Sequence, residues 1–238
     1  MAGAQCCENP PELSASSGEG SVVESLGGLK AYITGSTDSK AAILFVSDVF
    51  GFEAPNLRKL ADKIAAAGFY VVVPDFLNGD PFDPEKVTIS TWLVNHGTDK
   101  AFEDAKLIVA ALKGKGFSAV GAAGACWGAK IVVELGKAEE IKAAVFFHPS
   151  FVTVDDIKAN KAHLAVLGAE IDQVTPPEVV KQFEEILSSK SEIDSFVKIF
   201  PGVAHGWTVR YDPNDEAAVK KAEEAHQDLL HWFVKHLK

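Results

Sequence analysis

Basic charge is scarce in this chain. Lysine and arginine together number 23 against 33 aspartates and glutamates in 238 residues, a net charge of −10. Only two of the basic residues are arginines, Arg58 and Arg210. A surface of that sign repels phosphate backbones and anionic lipid, which argues against nucleic acid or a membrane as partner. Long apolar runs are missing too: none reaches the ~18 residues that a membrane-spanning helix needs. The opening segment MAGAQCCENPPELSASSGEG has no basic region and no apolar stretch, so it reads as neither a signal peptide nor a transit peptide. Cysteine is confined to Cys6, Cys7 and Cys126. An odd count with two adjacent thiols suits a reducing compartment and points to the cytoplasm. Without CxxC spacing or a histidine close in sequence, Cys6 and Cys7 read as thiols of a polar arm rather than as palmitoylated or metal-binding residues. No zinc pattern and no phosphate-cradling G-x-x-x-x-G-K-[ST] occurs, so neither a metal nor a cofactor is expected.

What is present is a regular alternation of apolar segments. Residues 1–20, rich in Pro, Ser, Gly and Glu, read as a loosely ordered N-terminal arm, and residues 21–238 as a single domain. LKAYIT (29–34) alternates as a short edge strand should. AAILFVSD (41–48), FYVVVP (69–74), FSAVGAAG (117–124), IKAAVFFH (141–148), HLAVLGAE (163–170) and SFVKIFPG (195–202) are strands, most of them continuously apolar. Helical spacing is expected after residue 54, over 99–113, 127–137, 177–189 and about 215–236. This order predicts an α/β fold, a mostly parallel sheet with helices on both faces. Ligands of such sheets sit at the carboxyl ends of the strands.

Five strand ends carry suggestive side chains: Asp48, Cys126, His148, Asp172 and His205. Cys126 stands in GACWG, where Gly124 and Gly128 allow a tight strand-to-helix turn that holds one side chain at the sheet edge. The helix starting at Trp127 aims its amides and dipole at the sulfur, favouring a thiolate, and the Trp127 amide is placed to donate to an oxyanion. A thiol nucleophile needs a histidine, and the histidine needs a carboxylate to orient it. Asp172 and His205 follow in that chain order, with Glu170 as a rival for Asp172. His226, His231 and His236 are five apart on one helix and point away from each other, so they cannot converge on a metal.

From about residue 25 to 237 the chain resembles the dienelactone hydrolases (carboxymethylenebutenolidases), in their eukaryotic, plant-like branch within the α/β-hydrolase superfamily. VSDVFGFEAPNLRKLADKIAAAGFYVVVPDFLNGDP, GAAGACWGAK, GAEIDQVTP and FPGVAHGW carry the resemblance. It implies an α/β-hydrolase fold, Cys126 as nucleophile, His205 as base and then acid, and Asp172 as orienter. It implies the Trp127 and Val49 amides as oxyanion hole, and an auxiliary carboxylate, here Asp48 where bacterial members have Glu. Those members grip a substrate carboxylate with arginines. Arg210 can serve that role, the loop after the PD strand end has no counterpart, and Arg58 reads as a solvated surface charge. Phe50, His148 and Trp207 are candidates to line the substrate pocket, with Phe52, Trp92 and Phe151 as further aromatic wall.

The expected activity is cofactor-independent hydrolysis of a small-molecule ester or lactone through a Cys-His-Asp triad and an acyl-enzyme. Some plant members carry an endo-1,3;1,4-β-glucanase label, and that glycosidase chemistry would need two carboxyl groups such as Asp48 and Asp172. A non-catalytic ligand-binding protein on the same fold is the third alternative. The closing helix with Trp232 and Phe233 suits either a monomer core or a homodimer contact.

Overall fold

The structure is a computed structural model and describes residues 4–238. After a short 3-10 turn at Ala4–Cys7, the chain runs β1 (Ser21–Leu26), β2 (Leu29–Thr34), β3 (Ala41–Val46), α1 (Pro55–Ala66), β4 (Tyr70–Pro74), α2 (Ile89–Asn95), α3 (Thr98–Gly114) and β5 (Ala119–Ala125). It continues α4 (Trp127–Lys137), β6 (Ala143–Phe147), α5 (Val154–Ala159), β7 (His163–Ile171), α6 (Pro177–Ser188), β8 (Ser195–Ala204) and α7 (Glu216–Leu237). The eight strands form one sheet in the order β1-β2-β4-β3-β5-β6-β7-β8. β2 is antiparallel to both its neighbours, and all pairs from β4 to β8 are parallel.

The period-two alternation of strand side chains divides the core in two. Ala42, Leu44 and Val46 of β3 face a cluster built with α3, α4, α5 and α6. Ile43 and Phe45 face the other side, where Leu57, Leu60 and Ile64 of α1 and Leu229 and Phe233 of α7 cover the sheet. With both faces covered, β3, β4, β5 and β6 are buried along their full length, as their unbroken apolar runs require. Among the described residues, no helix is long and apolar enough to cross a membrane.

Three expectations fail here. LKAYIT is not an edge strand: β1 pairs with it antiparallel and takes the edge. β1 itself was illegible because SVVESL is half-exposed and carries a charge in place of an apolar stripe. Of the expected loose arm, residues 1–3 lie outside the described residues. The rest is docked, with main chain and side chains bonded across the carboxyl end of the sheet. Gln5 donates to the Ile171 carbonyl and accepts from the Gln173 amide. Arg58 donates to the carbonyls of Ala15, Ser17 and Phe52. Arg58 is therefore not a surface charge but fully buried, its guanidinium 4.8 Å from the Tyr32 ring centre. Helical periodicity showed where it sat on α1, but not that a distant polar segment would come to cover it.

Candidate active site

β5 enters α4 through a single residue in a conformation that L-amino acids seldom adopt. Cys126 has φ 51° and ψ −114°. Such strain persists only where the surroundings over-determine it. The two flanking glycines are part of that constraint. A Cβ on Gly124 would stand 2.5 Å from the Gly128 carbonyl oxygen, and one on Gly128 would stand 2.6 Å from those of Val46 and Ser47. The turn thus brings α4 against β3 and β5 and leaves the Cys126 side chain at the carboxyl edge.

β7 and β8 deliver the partners. His205 Nδ1 lies 2.8 Å from Asp172 Oδ2. The other oxygen, Asp172 Oδ1, accepts from the amides of Val174 and Thr175 at 2.8 and 3.1 Å, which fixes the carboxylate. The rival, Glu170, points elsewhere and accepts from the Gly202 amide. With Nδ1 held by Asp172, His205 presents Nε2 to the sulfurs: Nε2, Cys126 Sγ and Cys6 Sγ all lie within 4.8 Å of one another. The structure thus brings together Cys126, His205 and Asp172, all buried.

Burial pushes the Cys126 thiol well above its usual value, and the contact with Cys6 adds to the rise. The helix dipole does not prevail over desolvation, contrary to the thiolate expected from the sequence. Burial opposes charge on His205, but the Cys126 sulfur and the Asp172 carboxylate outweigh it and raise the imidazole. The amide of Trp127 opens α4 directly after Cys126, and that of Val49 follows the carboxyl end of β3. Among the described residues neither donates to a backbone carbonyl through the loops and turns.

The auxiliary carboxylate is buried and paired. Asp48 Oδ2 lies 3.3 Å from Arg210 Nε, and Asp48 Oδ1 accepts from the Phe50 amide. Burial nonetheless raises the Asp48 carboxyl above the ordinary range, with Arg210 opposing. Arg210 Nη1 donates to the carbonyls of Cys6 and Glu8 at 2.9 and 2.8 Å, so the same guanidinium ties down the arm. It packs on Gly206, where φ is +94° and a Cβ would lie 2.4 Å from the guanidinium.

His148 Nε2 pairs with Thr208 Oγ1 at 2.8 Å, and its ring meets His205 and Trp207 edge-on at 4.8 and 5.4 Å. Burial holds it well below the usual histidine range, so it is a neutral wall beside the base. Trp207 lines a cleft of about 1100 Å³ that reaches His205 and Arg210 and is bounded by Asn9 and Pro10 of the arm. Phe50 lines a second cleft of about 480 Å³, with Pro10, Pro11, Leu13, Phe82 and Trp92. Pro10 of the arm lines both.

Sequence reasoning missed two neighbours of the nucleophile. Ser150 Oγ lies 3.2 Å from Cys126 Sγ, and Cys6 Sγ lies 3.6 Å from it. Ser150 closes the FFHPS strand end, two residues past His148, and inspection of that loop could have flagged it. Nothing local marks Cys6, because its partners are more than a hundred residues away.

The Dienelactone hydrolase family model matches residues 29–237. A maize protein named Endo-1,3;1,4-beta-D-glucanase is 46% identical over 194 residues, 79% of this chain and 63% of its own length. The chain therefore spans less than two thirds of that relative. A Xenopus tropicalis carboxymethylenebutenolidase homolog is 32% identical, covering 88% of each chain. Among solved structures, the dienelactone hydrolase of Anabaena variabilis superposes with a TM-score of 0.65 at 16% identity, covering 96% of this chain and all of the other. A dienelactone hydrolase-like promiscuous phosphotriesterase from metagenomic libraries gives 0.71 at 17% identity, covering 88% of this chain and 93% of its own. At such identities these two establish the fold alone.

Proposed function

This chain belongs to the dienelactone hydrolase family and has the α/β-hydrolase fold, and from that premise we propose that it hydrolyses a small ester or lactone through Cys126, His205 and Asp172. The observation that carries the reading is the bond of His205 Nδ1 to Asp172, with Nε2 turned toward a cysteine on a strained turn. His205 takes the Cys126 proton as substrate arrives, and the thiolate attacks the carbonyl. The Trp127 and Val49 amides hold the oxyanion. His205 then protonates the leaving alkoxide and activates water to release the acyl group. Every step draws on side chains and amides of this chain.

Phe50, His148, Trp207 and Arg210 form the substrate pocket in this reading. Among the described residues Arg210 Nη2 is a buried donor without a hydrogen-bond partner, which suits an anionic substrate group. The arm must lift for a substrate to reach the sulfur. The three free thiols are in keeping with a cytoplasmic setting.

The maize relative's name favours a second reading, glycoside hydrolysis. That reaction needs two carboxyl groups facing the sugar bond. Asp172 is committed to His205 and Asp48 to Arg210, and both side chains are buried, which weighs against it. Intact-protein mass spectrometry with a panel of lactones and activated esters separates the two. An acyl adduct on Cys126, with turnover lost in Cys126→Ala, supports the hydrolase. β-Glucan cleavage that survives Cys126→Ala, with no ester turnover, overturns it.

A further inference from the structure

We propose that Cys6, Cys126 and His205 form a binding site for one soft divalent cation of the zinc type, and that the bound ion clamps the N-terminal arm over the nucleophile. Three side chains from opposite regions of the chain bring two sulfurs and an imidazole nitrogen to one point, and all three are buried. The spacing is that of ligands around a shared ion. A tetrahedral zinc with Zn–S of about 2.3 Å and Zn–N of about 2.0–2.1 Å sets its sulfurs about 3.8 Å apart and sulfur from nitrogen about 3.6 Å apart. The sulfurs of Cys6 and Cys126 are 3.6 Å apart, and Cys6 Sγ is 3.9 Å from His205 Nε2. The third edge, Cys126 Sγ to His205, lies within 4.8 Å, so the ion would draw that pair closer as it binds.

A fourth vertex is at hand. Ser150 Oγ lies 3.4 Å from Cys6 Sγ and 3.2 Å from Cys126 Sγ, so its hydroxyl, or a water held by it, completes the set. The outer shell is in place as well. Metal-binding histidines commonly donate their second ring nitrogen to a carboxylate, and here Asp172 receives Nδ1. Sulfur and imidazole select zinc-like ions over magnesium or calcium, which prefer oxygen. On binding, both thiols release their protons to solvent and each sulfur lends an electron pair to the ion. Two thiolates and a dication form a neutral unit, which resolves the cost of ionising either sulfur alone in a buried pocket.

Binding stands independently of the hydrolase reading, but its effect on turnover rests on it. The ion would occupy both the attacking sulfur and the proton-accepting nitrogen while fastening the arm through Cys6. The enzyme would be held inactive until the ion is withdrawn.

The test uses the full chain, reduced, stripped of metal and kept free of oxygen. Zinc is titrated in competition with a chromophoric chelator, and cobalt(II) is used as a spectroscopic probe. One equivalent is expected, with thiolate-to-cobalt charge-transfer bands and the visible bands of a tetrahedral ion. Cys6→Ser should weaken binding by at least about a hundredfold, since even outer-shell changes cost about 10–100-fold. Cys7→Ser should bind as the parent does. Circular dichroism and thermal unfolding establish that each variant is folded. Zinc taken up equally by the Cys6→Ser protein, or no uptake by the parent, overturns the site. A Cys6–Cys126 disulfide formed by mild oxidant in a protein that takes up no zinc overturns it too. Ester turnover in the parent should fall with zinc and return with chelator, and the ratio of rates with and without zinc should be nearer one in Cys6→Ser. Zinc uptake with no ester turnover leaves the site standing and sinks the hydrolase reading; turnover without uptake does the reverse.

Discussion

Arg210 Nε stands 3.3 Å from Asp48 Oδ2, and both side chains are almost wholly buried. Removing one partner from such a pair leaves a charge in low dielectric and costs about 3–5 kcal/mol. Asp48→Asn and Arg210→Gln should each lower stability by that order in urea unfolding. The double variant should lose clearly less than the sum of the two, because neither charge is then left alone. Additive losses would mean that the two groups do not act as a pair.

Asp172→Asn should lower kcat on an activated ester by about two to four orders of magnitude with KM little changed, because the carboxylate sets the His205 tautomer. Glu170→Gln, which alters only a contact to the Gly202 amide, serves as the comparison. Equal losses in the two would assign the orienting role wrongly.

Gly128→Ala places a methyl 2.6 Å from two carbonyl oxygens of the β3 end. Overpacking of that kind costs about 1–3 kcal/mol. Thermal unfolding should show the loss, and iodoacetamide labelling mapped to Cys126 should show the turn displaced. A variant with parental stability would mean that α4 can shift away from β3 at no cost.

The arm should open more often when Gln5 is truncated. Its side-chain amide makes two hydrogen bonds, to Ile171 and Gln173. At about 1 kcal/mol each these are worth roughly a tenfold or greater change in the open population. Gln5→Ala should therefore raise the alkylation rate of Cys126 by about that factor, read by peptide mass mapping. An unchanged rate would show that the sulfur is reached by another path.

Acid should destabilise the protein through His226. Burial pushes its imidazole down to about 4, although Nε2 holds the Thr208 carbonyl. Unfolded, the same group titrates near 6.5. Below that value the unfolded chain binds the extra proton, so stability falls as pH drops from about 6.5 toward about 4, by roughly 3 kcal/mol in total. His148, held down by burial in the same way, adds to the slope. Urea midpoints across this range, for the parent and for His226→Gln, measure the contribution. A variant with an unchanged slope would remove His226 from this role.

The parts of the molecule that were legible in the sequence are those whose signals are local. The span of α4, Trp127–Lys137, follows from its apolar stripe, and β5 from its unbroken small and apolar residues. Cys126, Asp172 and His205 could be singled out because parallel sheets present chemistry at strand ends. Burial was not legible. Arg58 looks like a surface charge and Arg210 like a grip for a substrate carboxylate, yet both donate to carbonyls of the N-terminal arm, and that arm's Pro-Ser-Gly composition resembles disorder. The upward push on the Cys126 thiol was hidden for a similar reason: the helix dipole is visible in the sequence, while the dry pocket that opposes it is not. Cys6 near His205 is the extreme case, a neighbour relation that no spacing rule could have suggested.

The docked arm also has a consequence for the order in which the protein is made. Cys6 leaves the ribosome before Arg210, which holds its carbonyl and lies 204 residues further along. At synthesis rates of about 5–20 residues per second, the two are separated by roughly 10–40 s. Throughout that interval the arm has nothing to dock on. Closure over Cys126 is thus among the last events in the birth of the chain, and the thiol spends its earliest existence uncovered.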